Sequence, residues 1–379
     1  MEFPKNLLEK LQARHDNNAF RKLSSTNLRV DFSSNDYLGF AKSQELFDST
    51  HEFLVNNGIT QNGATGSRLI SGNHELYEVA ENFIADFHDS ETALIFNSGY
   101  DANVGFFSSV PQRNDFILYD ELCHASIRDG IGLSHAKSFK FTHNDYEDLE
   151  RLALRYKSSG TNLYVVTESV FSMDGDSPNL EILSEICEKH DCLLVVDEAH
   201  ALGVFGQNGC GLAQQNKLQD KCFARVMTFG KSLGCHGAAI LGSSQLRDYL
   251  INFSRSFIYT TALSPHSVAT ILTAYKRLQT FTNGFGLNEN IAHFNQEKFR
   301  LGLKPMFVYS KSAIQSAIIP GNNKVKTVAS GLQQQGFDVK AILSPTVPEG
   351  QERLRICLHS YNSEREISDL LENLSRLVF

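Results

Sequence analysis

The stretch Leu193-Leu194-Val195-Val196-Asp197-Glu198-Ala199-His200 indicates the fold class of this chain. Four apolar residues run without interruption before polar residues begin, which is typical of a strand buried on both faces of a parallel sheet. Helical patterns alternate along the sequence with further apolar runs of the same kind. These runs lie at 92–97, 116–119, 138–142, 163–167, 224–229 and 238–241. The helical patterns lie at 74–88, from 100 onwards, and at 125–133, 146–156, 180–189 and 265–278. The alternation predicts an α/β fold whose mostly parallel sheet is covered by helices.

The two ends of the sequence have different patterns. The first residues form an amphipathic, charged helical pattern that leads into a short strand. The last hundred residues predict a compact α+β unit, with strands at 315–319, 339–343 and 353–358 and helices at 324–335 and 364–377. We therefore expect an N-terminal helix and strand segment at 1–40, a large α/β domain at 41–280 and a small C-terminal α+β domain at 281–379.

The composition argues against several classes of function. The net charge is −8 over 379 residues, and no run of Lys and Arg could neutralise a nucleic-acid backbone, so we expect no nucleic-acid partner. No apolar stretch has the length of a membrane span and no secretion signal is evident, so we expect a cytoplasmic protein. The seven cysteines form no Cys-x-x-Cys pair, which indicates neither a disulfide framework nor a metal site.

Polar residues follow several of the predicted strands, at the edge where parallel sheets bind ligands. Asp197 and His200 follow one strand, Lys231 another, Ser98-Gly99-Tyr100 a third and Ser172 a fourth. Each has an ordinary structural interpretation when taken alone, because an acidic residue can cap a helix and lysines are nearly always solvated. Their joint occurrence at the strand ends indicates a catalytic site.

Together these residues predict a site for pyridoxal phosphate. Lys231 lies among small residues and can condense with an aldehyde, and Asp197 can keep a pyridinium nitrogen protonated so that the ring draws electrons from a bound amino acid. His200 can reach the ring hydroxyl. Ser98-Gly99-Tyr100 opens a helix, whose first N–H groups can hold a phosphate beside the Thr228 hydroxyl. His124 is placed to stack on the ring.

The chain resembles the α-oxoamine synthase family of pyridoxal-phosphate enzymes at seven motifs that are spread over nearly its whole length. These motifs are Phe32-Ser33-Ser34-Asn35-Asp36-Tyr37-Leu38-Gly39, Ser98-Gly99-Tyr100-Asp101-Ala102-Asn103, His124-Ala125-Ser126, Val170-Phe171-Ser172-Met173-Asp174-Gly175-Asp176, Asp197-Glu198-Ala199-His200, Thr228-Phe229-Gly230-Lys231 and Pro345-Thr346-Val347-Pro348-Glu349-Gly350. The resemblance implies a fold-type I, aspartate-aminotransferase-like transferase fold whose large domain binds the cofactor.

The resemblance also implies a role for each matching position. Lys231 would carry the cofactor as a Schiff base, with Asp197, His200 and His124 as the other catalytic residues. The implied cofactor contacts are Ser98, Gly99, Tyr100, His124, Ser172, Asp197, His200, Thr228, Lys231, Thr260 and Thr261. The implied substrate contacts are Arg21, Asn35, His124, Thr346 and Arg355. Thr260 and Thr261 match a segment that reaches the phosphate of a neighbouring subunit, which implies a homodimer with active sites at the interface.

The reaction that the resemblance implies is the decarboxylative condensation of a small amino acid with an acyl thioester of coenzyme A or an acyl carrier protein. The motifs favour the branch of the family that joins L-alanine to a pimeloyl thioester in biotin biosynthesis. Two alternatives remain at this point. One is a sister synthase that uses glycine or serine with another acyl-CoA, and the other is a non-catalytic partner subunit of the same fold.

Overall fold

The structure is a computed structural model that describes residues 3–23, 29–158, 160–280 and 286–379. The chain forms two compact units. The larger unit contains the described residues of Asn35–Ser172 and Ser177–Phe285, and the smaller unit contains those of Met1–Ser34, Met173–Asp176 and Gly286–Phe379. The predicted boundary between residues 280 and 281 falls where residues 281–285, which lie outside the described part of the chain, begin.

The described helices and strands are numbered here in chain order. The helices are α1 Lys5–Asp16, α2 Gln44–Asn56, α3 Glu75–Phe87, α4 Gly99–Ser109, α5 Ala125–Leu133, α6 Tyr146–Tyr156, α7 Leu180–Lys189, α8 Leu212–Gln215, α9 Ser244–Phe253, α10 Arg255–Ile258, α11 Pro265–Gln279, α12 Leu287–Arg300, α13 Asn322–Gln334 and α14 Glu364–Val378. The strands are β1 Val30–Asp31, β2 Thr92–Phe96, β3 Phe116–Asp120, β4 Lys137–Phe141, β5 Leu163–Glu168, β6 Leu193–Asp197, β7 Cys222–Thr228, β8 Ala238–Gly242, β9 Ile314–Ile318, β10 Phe337–Asp338, β11 Lys340–Ile342 and β12 Arg353–Cys357.

The described residues of the larger unit build a seven-stranded sheet in the order β2-β8-β7-β6-β5-β3-β4. Strands β7, β6, β5, β3 and β4 are parallel, whereas β8 runs antiparallel to both of its neighbours, β2 and β7. β5 is buried at every residue, as expected for a strand covered by helices on both faces. This sheet confirms the predicted mostly parallel α/β architecture.

Two apolar clusters cover the sheet of the larger unit. One joins α4, α5, α9 and α10 to the sheet and includes Phe106, Phe107 and Ile127, which are fully buried. The other joins α6 and α7 and includes Leu149 and Leu163. Burial of such side chains stabilises the sheet by roughly 1.5–3 kcal/mol each. The clusters therefore fix the positions of the strand ends, where the polar residues lie.

Side-chain caps explain where several helices begin. The Asp145 carboxylate accepts a hydrogen bond from the Asp148 N–H at the start of α6, and Asn179 accepts from two N–H groups of α7. Ser363 and Glu366 form a reciprocal capping box at α14. Helices α5, α6 and α7 have the bounds that the sequence predicts. Helices α2, α8, α9, α10 and α12 are additional to that prediction.

The smaller unit contains an antiparallel sheet in the order β11-β12-β9 and a two-stranded parallel pair, β1 with β10. β1 pairs Val30 with Phe337, which lies about three hundred residues further along the chain. The N-terminal strand, predicted as part of a separate segment, therefore belongs to the same compact unit as the C-terminal residues. Residues Asn35 to 40 of the predicted segment belong to the larger unit.

Candidate active site

The polar residues of the larger unit collect at the carboxyl ends of parallel strands. Glu168 ends β5 and is paired in register with Asp197, which ends β6. Thr228 ends β7, the next strand in the sheet. The sheet therefore places two carboxyl groups and a hydroxyl on adjacent strand ends, as the sequence predicts for Asp197 and Thr228.

Two donors hold the Asp197 carboxylate in place. Asp197 is 5% exposed and accepts hydrogen bonds from Asn103 Nδ2 at 2.8 Å and from the Ala199 N–H at 2.9 Å. Asn103 lies on α4 and also donates to Ser126 Oγ on α5 at 3.0 Å. These two donors fix the orientation of the Asp197 carboxyl group at the end of β6.

The neighbouring Glu198 has a different role from Asp197. Its two carboxylate oxygens accept hydrogen bonds from the N–H groups of Leu212 at 2.8 Å and Ala213 at 2.7 Å, at the start of α8. Burial raises the pKa of Glu198, and these backbone donors oppose the rise. Glu198 therefore anchors a loop, and Asp197 is the acid of this pair that remains for chemistry.

His124 caps helix α5 with a defined tautomer. Its Nδ1 accepts a hydrogen bond from the Ser126 N–H at 3.2 Å and lies 2.8 Å from Ser126 Oγ. Because Nδ1 is an acceptor, the proton of the neutral ring is on Nε2. Burial lowers the pKa of His124. The Asp197 carboxylate opposes this effect, and the Lys231 ammonium adds to it. The ring is thus close enough to both groups for their charges to act on it.

His200 is joined to the loop that follows β1. Its Nδ1 lies 2.8 Å from the hydroxyl of Tyr37, which donates to Asn35 Oδ1 at 3.2 Å. Tyr37 is fully buried and His200 is 4% exposed. The structure thus connects His200 with Asn35, a predicted substrate residue, through a tyrosine that the sequence analysis quotes only as part of a motif.

Lys231 lies in a tight loop after β7. The Gly234 N–H donates to the Lys231 carbonyl at 2.9 Å, and the Cys235 N–H donates to the Phe229 carbonyl at 3.0 Å. Gly234 has a φ of +59°, and a Cβ at this position would collide with the backbone of Ala41. Only glycine fits here, so the small-residue setting recognised in the sequence fixes the path of the lysine loop.

The start of α4 lies directly against Thr228. Ser98 caps the helix by accepting a hydrogen bond from the Asp101 N–H at 3.0 Å, and a Cβ added to Gly99 would lie 2.5 Å from Thr228 Oγ1. The first N–H groups of this eleven-residue helix and the Thr228 hydroxyl thus form one cradle. Helix N-termini of this kind bind phosphate groups.

We predict that Gly99→Ala weakens cofactor binding. The added methyl group would displace the Thr228 hydroxyl or the helix start, at a cost of about 1–3 kcal/mol, which corresponds to roughly 5- to 150-fold in the dissociation constant. Fluorescence titration of the apoprotein with pyridoxal phosphate measures the change. Gly132→Ala is the matched control, because Gly132 lies in helix α5 and a Cβ there meets nothing within 4 Å. Equal affinities of Gly99→Ala and Gly132→Ala for pyridoxal phosphate would contradict a phosphate cradle formed by α4 and Thr228.

The segment with Thr260 and Thr261 contacts the residue that precedes Ser98. Asn97 Nδ2 donates to Thr260 Oγ1 at 3.1 Å and to the Thr261 carbonyl at 2.6 Å. Both threonines are therefore adjacent to the beginning of helix α4, which Ser98 caps, in their own chain. Their contact with the phosphate of a neighbouring subunit stays a prediction, and so does the role of Ser172, which is 8% exposed.

The smaller unit contains the remaining predicted substrate residues. Arg21 Nη2 donates to Thr346 Oγ1 at 3.0 Å, so two residues that are 325 positions apart in sequence meet. Arg355 is 9% exposed and its Nη1 lies 3.0 Å from Cys357 Sγ. Arg353, two positions earlier, forms an ion pair with Asp174. The substrate roles of Arg21, Thr346 and Arg355 remain predictions.

Glu168 is the residue of this site that the sequence analysis misses. It is 2% exposed, and its Oε1 has no hydrogen-bond partner among the described residues. Burial raises the pKa of Glu168 to about 8; the Asp197 carboxylate adds to this and the Lys231 ammonium opposes it. The signal available in the sequence was an acidic residue that closes the apolar run of β5.

We predict that Glu168 makes the stability of the apoprotein pH-dependent. Between the ordinary glutamate pKa of 4.5 and about 8, the folded chain keeps a proton that the unfolded chain has released. The free energy of unfolding therefore falls as the pH rises through this window, by at most about 1.4 kcal/mol per pH unit from this group. Glu168→Gln removes this contribution, and urea unfolding at several pH values between 5 and 8 measures the slope. Glu185→Gln, on an exposed part of α7, should retain the wild-type slope. A wild-type slope in Glu168→Gln would show that the carboxyl is already ionised in the folded chain.

The arrangement fits pyridoxal phosphate. The cradle of α4 and Thr228 suits a phosphate, and the fixed Asp197 carboxylate suits a pyridinium nitrogen. The Glu168 Oε1, which has no hydrogen-bond partner among the described residues, leaves buried hydrogen-bonding capacity in the same charged environment as Lys231.

Among the described residues, no group of three or more His, Cys, Asp and Glu side chains could hold a metal ion. None of the described helices combines the length and the apolar character required of a membrane span.

Comparisons with known proteins agree with this assignment. Residues 29–374 match the family described as aminotransferase class I and II. An 8-amino-7-oxononanoate synthase of Emericella nidulans is 41% identical over 97% of this chain and 94% of its own length. The solved 8-amino-7-oxononanoate synthase of Francisella tularensis has a TM-score of 0.78 at 30% identity and covers 92% of this chain and 98% of its own.

A second solved structure contains the cofactor. A serine palmitoyltransferase of S. paucimobilis with a bound PLP–myriocin aldimine has a TM-score of 0.86 at 25% identity, over 98% of this chain and 96% of its own. These similarities confirm the predicted fold type and the predicted cofactor, pyridoxal phosphate. The chain belongs to the aminotransferase class I and II family, as a pyridoxal-phosphate-dependent acyltransferase similar to 8-amino-7-oxononanoate synthases.

Proposed function

We propose that the chain condenses L-alanine with pimeloyl-CoA, or with pimeloyl-acyl carrier protein, to give 8-amino-7-oxononanoate, carbon dioxide and the free thiol carrier. This reaction would place the enzyme in biotin biosynthesis. The observation that carries the proposal is the 41% identity to an 8-amino-7-oxononanoate synthase over almost the full length of both chains. A new carbon–carbon bond forms at the α-carbon of alanine, the thioester carbon–sulfur bond breaks, and the alanine carboxyl group leaves as carbon dioxide.

The residues of the larger unit would hold the cofactor and move the proton. Lys231 would bind the aldehyde carbon of pyridoxal phosphate, Asp197 would pair with its ring nitrogen and His200 with its ring oxygen. The bound cofactor supplies an electron sink for the α-carbon of the amino acid. The Lys231 amine is the base that we propose for removal of the α-proton. His124, neutral and protonated on Nε2, would cover one face of the ring.

The residues of the smaller unit would bind the substrates. The Arg355 guanidinium would hold the carboxylate of alanine, because its fork of N–H groups matches a carboxylate. Arg21 and Thr346, which are hydrogen-bonded to each other, would contact the acyl substrate together with Asn35. These roles rest on the family positions that the four residues match.

A substrate panel tests the proposed reaction. The holoenzyme is incubated with L-alanine, glycine or L-serine, each with pimeloyl, acetyl and palmitoyl thioesters, and the amino ketone is detected by mass spectrometry. The proposal expects 8-amino-7-oxononanoate from alanine and the pimeloyl thioester as the main product. A main product from glycine or serine would identify a sister synthase, which the similarity to serine palmitoyltransferase supports as the second candidate. No product from any pair, in a protein that takes up no cofactor, would indicate a non-catalytic subunit.

We also propose a homodimer in which Thr260 and Thr261 contribute to the phosphate site of the partner subunit. Tyr259, directly before them, is 72% exposed in the single chain, which is consistent with a surface that a second copy covers. Sedimentation analysis should show a dimer.

Mixed dimers test whether the two subunits share each site. A Lys231→Ala chain and a chain with both Thr260→Ala and Thr261→Ala would each be impaired alone. If the threonines act across the interface, a mixed dimer regains one intact site, with up to about half of the wild-type activity per dimer. Activity that stays at the level of the single variants after subunit exchange would show that the threonines act only within their own chain.

A further inference from the structure

The smaller unit holds a buried lysine without an acidic partner. Lys298, in the last turn of α12, is 7% exposed, and its Nζ donates to the uncharged Gln315 Oε1 at 3.1 Å. The ammonium lies 5.0 Å from the ring centre of Phe307 and 5.6 Å from that of Phe294. In the described part of the chain, no Asp or Glu forms an ion pair with it.

The position of this ammonium is fixed by its surroundings. Gln315 is fully buried, and its Nε2 donates to the carbonyl of Ser312 at 3.0 Å, which turns Oε1 towards Lys298. Burial lowers the pKa of Lys298 to about 8, and the nearby Lys304 adds to the lowering. A buried cation without a counter-charge costs free energy, and an anion bound beside it would remove that cost.

A cleft of about 430 Å³ opens onto this lysine. Lys304 and Lys311, both exposed, also line it, and none of the described residues that line it is acidic. Three lysines thus converge from three separate segments in a chain whose net charge is −8. Such a concentration of one charge favours a multiply charged anion over a single carboxylate.

The rim of the cleft offers aromatic surface. Phe299 and Tyr309 line it and are 73% and 74% exposed. Exposed rings of this kind can pack on the apolar or planar part of a ligand while the lysines hold its charge. Neither these residues nor the three lysines belong to the catalytic residues proposed above.

We propose that this cleft binds a polyphosphate group, with Lys298 at its floor and Lys304 and Lys311 at its rim. Lysines bind phosphate as point charges. Free pyrophosphate and a nucleoside diphosphate share this chemistry, and the aromatic rim favours the nucleotide. The site is independent of the proposed reaction, because Lys298, Lys304 and Lys311 have no role in that reaction.

Calorimetric titration of the cofactor-saturated holoenzyme with pyrophosphate, ADP and adenosine tests the site, because the bound cofactor occupies its own phosphate cradle. We expect ADP and pyrophosphate to bind, with affinities that weaken as salt is added, and adenosine not to bind. Tighter binding of ADP than of pyrophosphate would identify a nucleotide as the ligand, and equal binding would identify free polyphosphate. No binding of either anion, or binding of adenosine as tight as that of ADP, would overturn the proposal.

Variants separate a binding lysine from a merely structural one. Lys298→Met removes the buried charge and should lower the affinity for pyrophosphate by about tenfold or more. Its melting temperature without ligand should equal or exceed that of the wild type, while the rise that pyrophosphate causes in the wild type should be lost.

Combined Lys304→Ala and Lys311→Ala, at exposed positions, should weaken binding without affecting folding. Lys324→Ala, an exposed lysine of α13, is the control with unchanged binding. Wild-type affinity in both Lys298→Met and the double variant would refute the site.

Discussion

Lys231→Ala is expected to lower kcat by roughly 10²–10⁴-fold and to remove the visible absorbance of the purified protein. The amine of Lys231 is the group that we expect to join the cofactor covalently and to act as the base. Alanine retains neither function, although the phosphate cradle of α4 and Thr228 is unaffected. Steady-state turnover of the amino acid and acyl thioester, together with the absorption spectrum, measures both effects.

Lys221→Ala is the control for this variant. Lys221 lies on the surface directly before β7 and pairs with Glu188, so its removal changes the charge by the same amount without touching the site. An exposed ion pair of this kind contributes little to stability. Turnover and colour should remain at wild-type levels. A Lys231→Ala protein that keeps near-wild-type turnover would mean that another group performs the chemistry.

Asp197→Asn is expected to lower kcat by roughly 10²–10³-fold while the protein retains its cofactor and colour. The amide has the same shape as the carboxylate, so the site stays filled. It carries no charge, so it cannot keep the ring nitrogen protonated, and the electron sink weakens. Stopped-flow spectra after addition of the amino acid, combined with kcat, measure the loss.

Asp120→Asn is a matched control for the loss of a buried carboxylate. Asp120 ends the parallel strand β3, is 1% exposed and accepts hydrogen bonds from the Leu122 N–H at 2.9 Å and the Asn144 N–H at 3.0 Å. Its replacement should reduce stability and leave kcat of the folded fraction near the wild-type value. Equal losses of kcat in both variants would show that Asp197 supports only the fold.

The sequence predicts the strand ends well because burial and chemistry leave local signals there. The apolar run before Asp197 ends where the polar residues begin, and the glycine in the lysine loop is required by a close contact with Ala41. The bounds of α6 follow from an amphipathic pattern and an Asp145 cap, both of which are properties of neighbouring residues.

Other features depend on contacts that are distant in sequence. The apolar run of β8 carries no information on strand direction, and only the assembled sheet shows it antiparallel between β2 and β7. The pairing of Val30 with Phe337 is equally non-local. In the sequence, Glu168 is an acidic residue at the end of a buried strand. Its position beside Asp197 appears only in the register of the assembled sheet.

The most direct test of the account is to locate the cofactor on the chain. Borohydride reduction of the holoenzyme fixes a covalently bound pyridoxal phosphate, and peptide mass mapping then identifies the modified residue. The account predicts a single modified peptide that contains Lys231, and no such peptide in Lys231→Ala. Modification of a different lysine, or a cofactor that is released unmodified after reduction, would contradict it.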